Sequence, residues 1–136
     1  MIFVGIVTCN REDFFKKCYE SFKKCNGIDF VAVVNDGKSD VIVDEKDIYI
    51  KNKVNMGVGK SKNTLFREAF KLKKQGEDIQ HIFIIEDDII AKDLDVFLKY
   101  IAFIVKCLAY IHSFIHFQYS LFTQILFIFE KTSRRS

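Results

Sequence analysis

The sequence has little net charge, no C-x-x-C pair among its cysteines and no basic stretch at its start, and each absence removes a class of protein. A formal net charge of +3 over 136 residues is too small to mark nucleic acid as a partner. That charge is also uneven. Four of the 21 basic side chains (Lys106, Lys131, Arg134, Arg135) and one of the 18 acidic ones (Glu130) lie after residue 102, leaving 17 of each before it. The body is neutral and the tail is basic. Cys9, Cys18, Cys25 and Cys107 sit within apolar patterns, which favours buried, reduced thiols over a zinc site or a disulfide framework. The opening "MIFVGIVTCNRE" is interrupted by polar residues soon after it begins, which argues against a signal peptide and makes the cytoplasm the expected compartment. At this length, with 49% apolar residues, there is room for one domain around one core, and a two-domain enzyme is excluded.

"IFVGIV" is a short β-branched run followed by polar "TCNRE", the pattern of a strand buried on both faces. From Asn10 the period changes. Phe14, Phe15, Cys18, Tyr19, Phe22 and Cys25 recur at helical spacing, with Asn10 as the expected cap, Glu12 and Asp13 in the first turn, and Asn26-Gly27 as the stop. "FVAVV" at 30–34 reads as a second buried strand that breaks into "NDGKSD", and "DIYIK" as a weaker third. Leu65, Phe66, Ala69 and Phe70 form a second helical stripe ending in lysines and Gly76; "HIFII" is the next buried strand, with "EDD" at its carboxyl end. Strands alternating with helices predict an open α/β sheet in which ligands sit beyond the carboxyl ends of the strands. "TCNR", "NDGKSD" and "EDD" all fall at those ends, so they are expected to converge on one crevice.

Residues 101–129 break with this pattern, and the chain reads as 1–100 plus a hydrophobic, helical tail at 101–136. The tail is long enough to span a bilayer, but Lys106, His112, His116, Gln118 and Gln124 interrupt it, and a buried or interfacial helix fits equally well. Its basic end suits peripheral membrane contact. Its Phe, Ile, Tyr and Ser repetition, without the turn residues of the first hundred, also fits a shifted reading frame or a premature ending. His112 and His116 are four apart but lack a Glu or a third ligand, so a metal role for them is disfavoured.

"VNMGVGKSKN" invites comparison with a phosphate-gripping P-loop. That loop needs G-x-x-x-x-G-K-[ST], and counting back from Gly59, Lys60 and Ser61 puts Val54 where the first glycine belongs. Only the weak "IYIKNK" precedes it. A small P-loop NTPase is therefore a disfavoured alternative.

Taken in order, "VGIVTCNRED", a helix, "FVAVVNDGKSD", "NMGVGKSKN" and "IFIIEDDI" resemble the nucleotide-sugar half of GT-A glycosyltransferases of the family 2 type, over residues 2–100. The resemblance implies a GT-A, Rossmann-like α/β fold with an open, mostly parallel sheet, here incomplete. It implies that Thr8, Asn10 and Arg11 line a nucleotide pocket and that Asp36 recognises base or ribose, with Asn35 where the family often has a second Asp. Asn55, Gly57, Lys62 and Asn63 match the family's N-x-G…R-N segment, with Lys62 replacing an Arg as a point charge toward the diphosphate. "EDD" is similar to the D-x-D motif, which assigns Glu86 and Asp88 to Mn²⁺ or Mg²⁺ and Asp87 to the donor. The chemistry agrees, because a hard cation held by oxygen ligands neutralises a departing diphosphate.

The implied activity is transfer from a UDP- or GDP-type sugar to a saccharide or lipid-linked acceptor, in surface polysaccharide synthesis. The family's acceptor half and base should follow the D-x-D strand, where the tail begins instead. Glu130 is the only carboxylate after Asp95, so no base is nominated. A truncated, inactive donor-binding fragment is the alternative.

Overall fold

The computed structural model describes the backbone of residues 1–133 and the side chains of residues 1–115. Contacts divide the chain into two units, Met1–Leu98 and Lys99–Ser136. The first holds β1 (Ile2–Thr8), α1 (Glu12–Phe22), β2 (Phe30–Asn35), β3 (Ile48–Lys51), α2 (Val58–Lys74) and β4 (His81–Glu86), in that order. α3 runs from Val96 to Ser133 and so begins in the first unit and forms the described backbone of the second.

The four strands form one all-parallel sheet in the order β3-β2-β1-β4, so the molecule is α/β with the β-branched run of β1 at an interior position. All seven residues of β1 are buried. Strand alternation divides its side chains between two layers. Phe3, Val7, Ala32 and Val34 pack with Leu65, Ala69 and Ile79 on the α2 side. Val4, Ile6, Val31 and Val33 are buried too, and the Phe15, Cys18, Tyr19 and Phe22 stripe of α1 is buried on that second side. Phe97 completes the second layer, with its ring 5.6 Å from Phe22 and 4.6 Å from Phe83. Each fully buried side chain such as Leu65 contributes roughly 1.5–3 kcal/mol. α2 comes close enough to the sheet that Gly5 is required: a Cβ there would lie 2.9 Å from Leu65 Cδ1 and 3.1 Å from Leu65 Cβ.

Several sequence expectations are corrected here. Phe14, Phe66 and Phe70 are exposed, because each precedes or follows the residue that meets the sheet. β4 is half-buried along its whole length, since it stands at the end of the strand order with β1 on one side. Cys18 and Cys25 are buried free thiols, but Cys9 is half-buried and Cys107 exposed. Asn10 does not cap α1. Arg11 takes the cap position without a side-chain bond, while Asn10 adopts φ 52° and uses its Oδ1 to accept from Lys38 N at 2.6 Å.

In the second unit, the described side chains from Phe103 to Ile115 are exposed, and Val96–Ile115 is long and apolar enough to cross a membrane. His112 is described; the side chains of His116, Gln118, Gln124, Glu130 and Lys131, and all of Arg134 and Arg135, lie outside the described residues.

Candidate functional site

Because the strands are parallel, Thr8, Asn35 and Glu86 all end at the same edge of the sheet. There a crevice of about 220 Å³ is lined by Thr8, Cys9, Arg11, Asp36, Asn55 and Glu86, together with Val7, Gly57 and Val58. Thr8, Arg11, Asp36 and Glu86, named from sequence as site residues, are brought together in it.

Asp36 is the most heavily bonded of them. Its Oδ1 accepts from Asn52 Nδ2 at 2.7 Å and Met56 N at 2.8 Å, and its Oδ2 accepts from Gly57 N at 2.8 Å. Burial raises the Asp36 carboxyl, but the bonds from Met56, Asn52, Gly57 and Ser61 outweigh it and hold the group below its ordinary value. The carboxylate thereby fixes the 52–57 loop and the start of α2, where Gly57 takes φ 82°. That positive φ, and the close approach of its N–H to Asp36, suit glycine. Neighbouring Asn35 uses its amide as a donor to Ser39 O at 2.8 Å and Tyr49 Oη at 3.0 Å, and its Oδ1 accepts from Gly37 N at 2.8 Å. A carboxylate could not make the first of these bonds.

Of the three acidic residues after Ile85 only Glu86 lines the crevice, and the three have different surroundings. Asp87 is buried with no exposed side-chain surface; it accepts from the Thr8 hydroxyl at 2.7 Å and from the Arg11 guanidinium. Asp88 is half-exposed, with Oδ2 3.9 Å from the same guanidinium. Glu86 is half-exposed and accepts from Lys62 Nζ at 2.6 Å, and that bond and charge hold its carboxyl below the usual value. Asn10 is not among the lining residues, its Oδ1 being taken by Lys38 N, while Asn55, which lines the crevice, has its Nδ2 3.4 Å from Cys9 Sγ. Asn63 is exposed on α2 and is not among the lining side chains.

Sequence reasoning missed Asn52, Tyr49 and Cys9, and read Ser61 only as a P-loop residue. Ser61 is fully buried, and its Oγ is 3.3 Å from Asn52 Nδ2. The one available signal was the polar Asn52 directly after a strand. Gly59 lies within the first turn of α2, and a Cβ on it would meet nothing within 4 Å.

The fold and site thus define a small parallel α/β unit with a polar crevice at the carboxyl edge of its sheet. No family model and no curated protein matches the chain.

Proposed function

We propose that this crevice binds the nucleotide diphosphate of a sugar donor, and that the chain serves glycosyl transfer of the family 2 type. The observation that carries the reading is the convergence of Thr8, Arg11, Asp36 and Glu86 on one crevice at the carboxyl ends of three parallel strands. That is where open α/β sheets take ligands. The start of α2 has no acidic residue in its first turn, but the Asp36 carboxylate already accepts from the Gly57 N–H there, so an incoming anion would meet only the N–H groups after it.

Charge also favours a divalent cation. Asp36, Glu86, Asp87 and Asp88 outnumber Arg11 and Lys62 by two, a surplus that one Mn²⁺ or Mg²⁺ would neutralise before a diphosphate enters. Among the described residues no group of three metal-ligating side chains forms. Such a group is not required, because Mg²⁺ is commonly held by one or two carboxylates plus substrate phosphates. Glu86 and Asp88, both half-exposed, fit that role, and the cation would stabilise the departing diphosphate. The chain's own residues then divide the work: Thr8 and Arg11 fix Asp87, Asp36 fixes the loop beside the donor, and Lys62 supplies positive charge.

The acceptor is a saccharide or lipid-linked, and the exposed apolar side chains from Phe103 to Ile115 suit contact with a membrane surface. A second reading is donor binding without transfer, favoured by the lack of any Asp or Glu in residues 96–115 to serve as a base.

Calorimetric titration with UDP and with GDP, each with and without Mn²⁺, tests the proposal. Metal-dependent binding that is lost in Asp88→Ala is expected; no binding by folded protein overturns it. Release of sugar from a bound donor, to acceptor or water, separates transfer from binding alone.

A further inference from the structure

Glu86 ends β4 on the face that carries α2, and Lys62 reaches it from that helix, with Nζ 2.6 Å from Oε1. Both side chains are partly exposed, 37% for Lys62 and 42% for Glu86, so the pair is open to exchange with solutes. Its neighbour behaves differently. Asp87 has no exposed side-chain surface and is held from two sides by Thr8 and Arg11, so it is fixed. An ammonium on a four-carbon stem can swing without moving its helix, which a bidentate guanidinium does less readily.

We infer that Lys62 is an exchangeable occupant of the cation position beside Glu86: it leaves Glu86 when a divalent ion arrives and turns to the diphosphate, so that metal and diphosphate strengthen each other's binding. This rests on the donor reading proposed above. Without metal, Lys62 is engaged by Glu86 and withheld from phosphate. Without diphosphate, a metal ion must break the ion pair and leave an ammonium unpartnered. With both present, every charge has a partner. Such coupling is reciprocal: the factor by which Mn²⁺ improves nucleotide binding is the factor by which nucleotide improves Mn²⁺ binding.

The test measures Mn²⁺ affinity by electron paramagnetic resonance for the unaltered protein, Lys62→Met and Lys62→Arg, alone and with saturating UDP or GDP, with the metal–nucleotide complex as blank. Without nucleotide, Lys62→Met is expected to bind Mn²⁺ about two- to fivefold more tightly, the strength of a partly exposed ion pair. In that variant nucleotide should raise Mn²⁺ affinity by a smaller factor than in the unaltered protein, whereas Lys62→Arg should keep the pair and, because its guanidinium swings less readily, show an intermediate coupling. Lys62→Gln, measured alongside, carries the same expectation as Lys62→Met and guards against a folding defect peculiar to methionine. Equal Mn²⁺ affinity in all forms, with nucleotide strengthening it equally, overturns the exchange and leaves the donor reading standing. No Mn²⁺ binding by any form, with or without nucleotide, overturns both.

Discussion

The Thr8 hydroxyl donates to Asp87 Oδ2 at 2.7 Å, joining the ends of β1 and β4 across 79 residues of chain. Neither side chain has appreciable contact with water. Replacing Thr8 with Val keeps the shape and removes the donor from a buried carboxylate. The expected loss is about 1–3 kcal/mol of folding stability, read as a lower midpoint in urea. A change below a few tenths would mean that Arg11 alone satisfies Asp87.

Gly5→Ala places a methyl group 2.9 Å from Leu65 Cδ1 and 3.1 Å from Leu65 Cβ. The Cβ contact cannot be relieved by a rotamer change, so α2 must shift. Destabilisation of about 1–3 kcal/mol is expected from this overpacking. In the double variant Gly5→Ala/Leu65→Ala the two effects should be non-additive, because the second change removes the contacts with Leu65 Cδ1 and Cδ2 and leaves only the one with Cβ. Additive losses would contradict the close approach.

Asp36 makes stability depend on pH in a defined direction. Its folded-state carboxyl lies below the ordinary value, through bonds from Met56, Asn52, Gly57 and Ser61 that outweigh burial. The stabilisation is therefore complete above the unfolded value of about 3.9 and is lost as pH falls through the folded value. Asp36→Asn should cost about 1.5–3 kcal/mol at pH 7, typical of hydrogen bonds to a charged group. The gap between the two proteins should close in acid, as followed by urea unfolding from pH 7 to pH 3. A constant gap would show that the negative charge is not what holds the loop.

The four cysteines should separate by reactivity. Burial, then the charges of Asp87 and Asp88, push the Cys18 thiol up to about 12, and burial followed by Asp93 and Asp95 also raises Cys25. Cys107 is exposed and Cys9 half-buried in the crevice wall. A thiol reagent at pH 7.5 should label Cys107 first and Cys9 next, and reach Cys18 and Cys25 only on unfolding. Bound UDP or GDP with Mn²⁺ should slow labelling of Cys9 alone, as mapped by peptide mass. Equal protection of Cys107 would place the nucleotide elsewhere.

β1 and β2 were legible because β-branched runs bounded by polar loops leave little choice but a two-sided core, and the crevice was legible because parallel strands put their polar ends together. Helical periodicity located α1 and α2 but could not decide between adjacent apolar residues. Phe15 rather than Phe14, and Leu65 and Ala69 rather than Phe66 and Phe70, face the sheet. At 100° per residue either neighbour suits a broad stripe, and the sheet beneath decides. The work of Asp36 was not legible at all. Its partners Asn52, Met56 and Gly57 arrive only once β3 has paired with β2, and no local spacing announces that. The Lys62–Glu86 pair, likewise, requires a helix and a strand 24 residues apart to be docked first.

β4 bonds to β1 on one side and, among the described residues, to no strand on the other. Its outer row of N–H and C=O groups is therefore a template for a further extended segment, whatever its source. Glu86 stands at the tip of that same strand and Asp87 and Asp88 follow it. Any segment annealing to β4 in register would thus run alongside the acidic residues, and the sheet's capacity to lengthen sideways is tied to the geometry of its binding cleft.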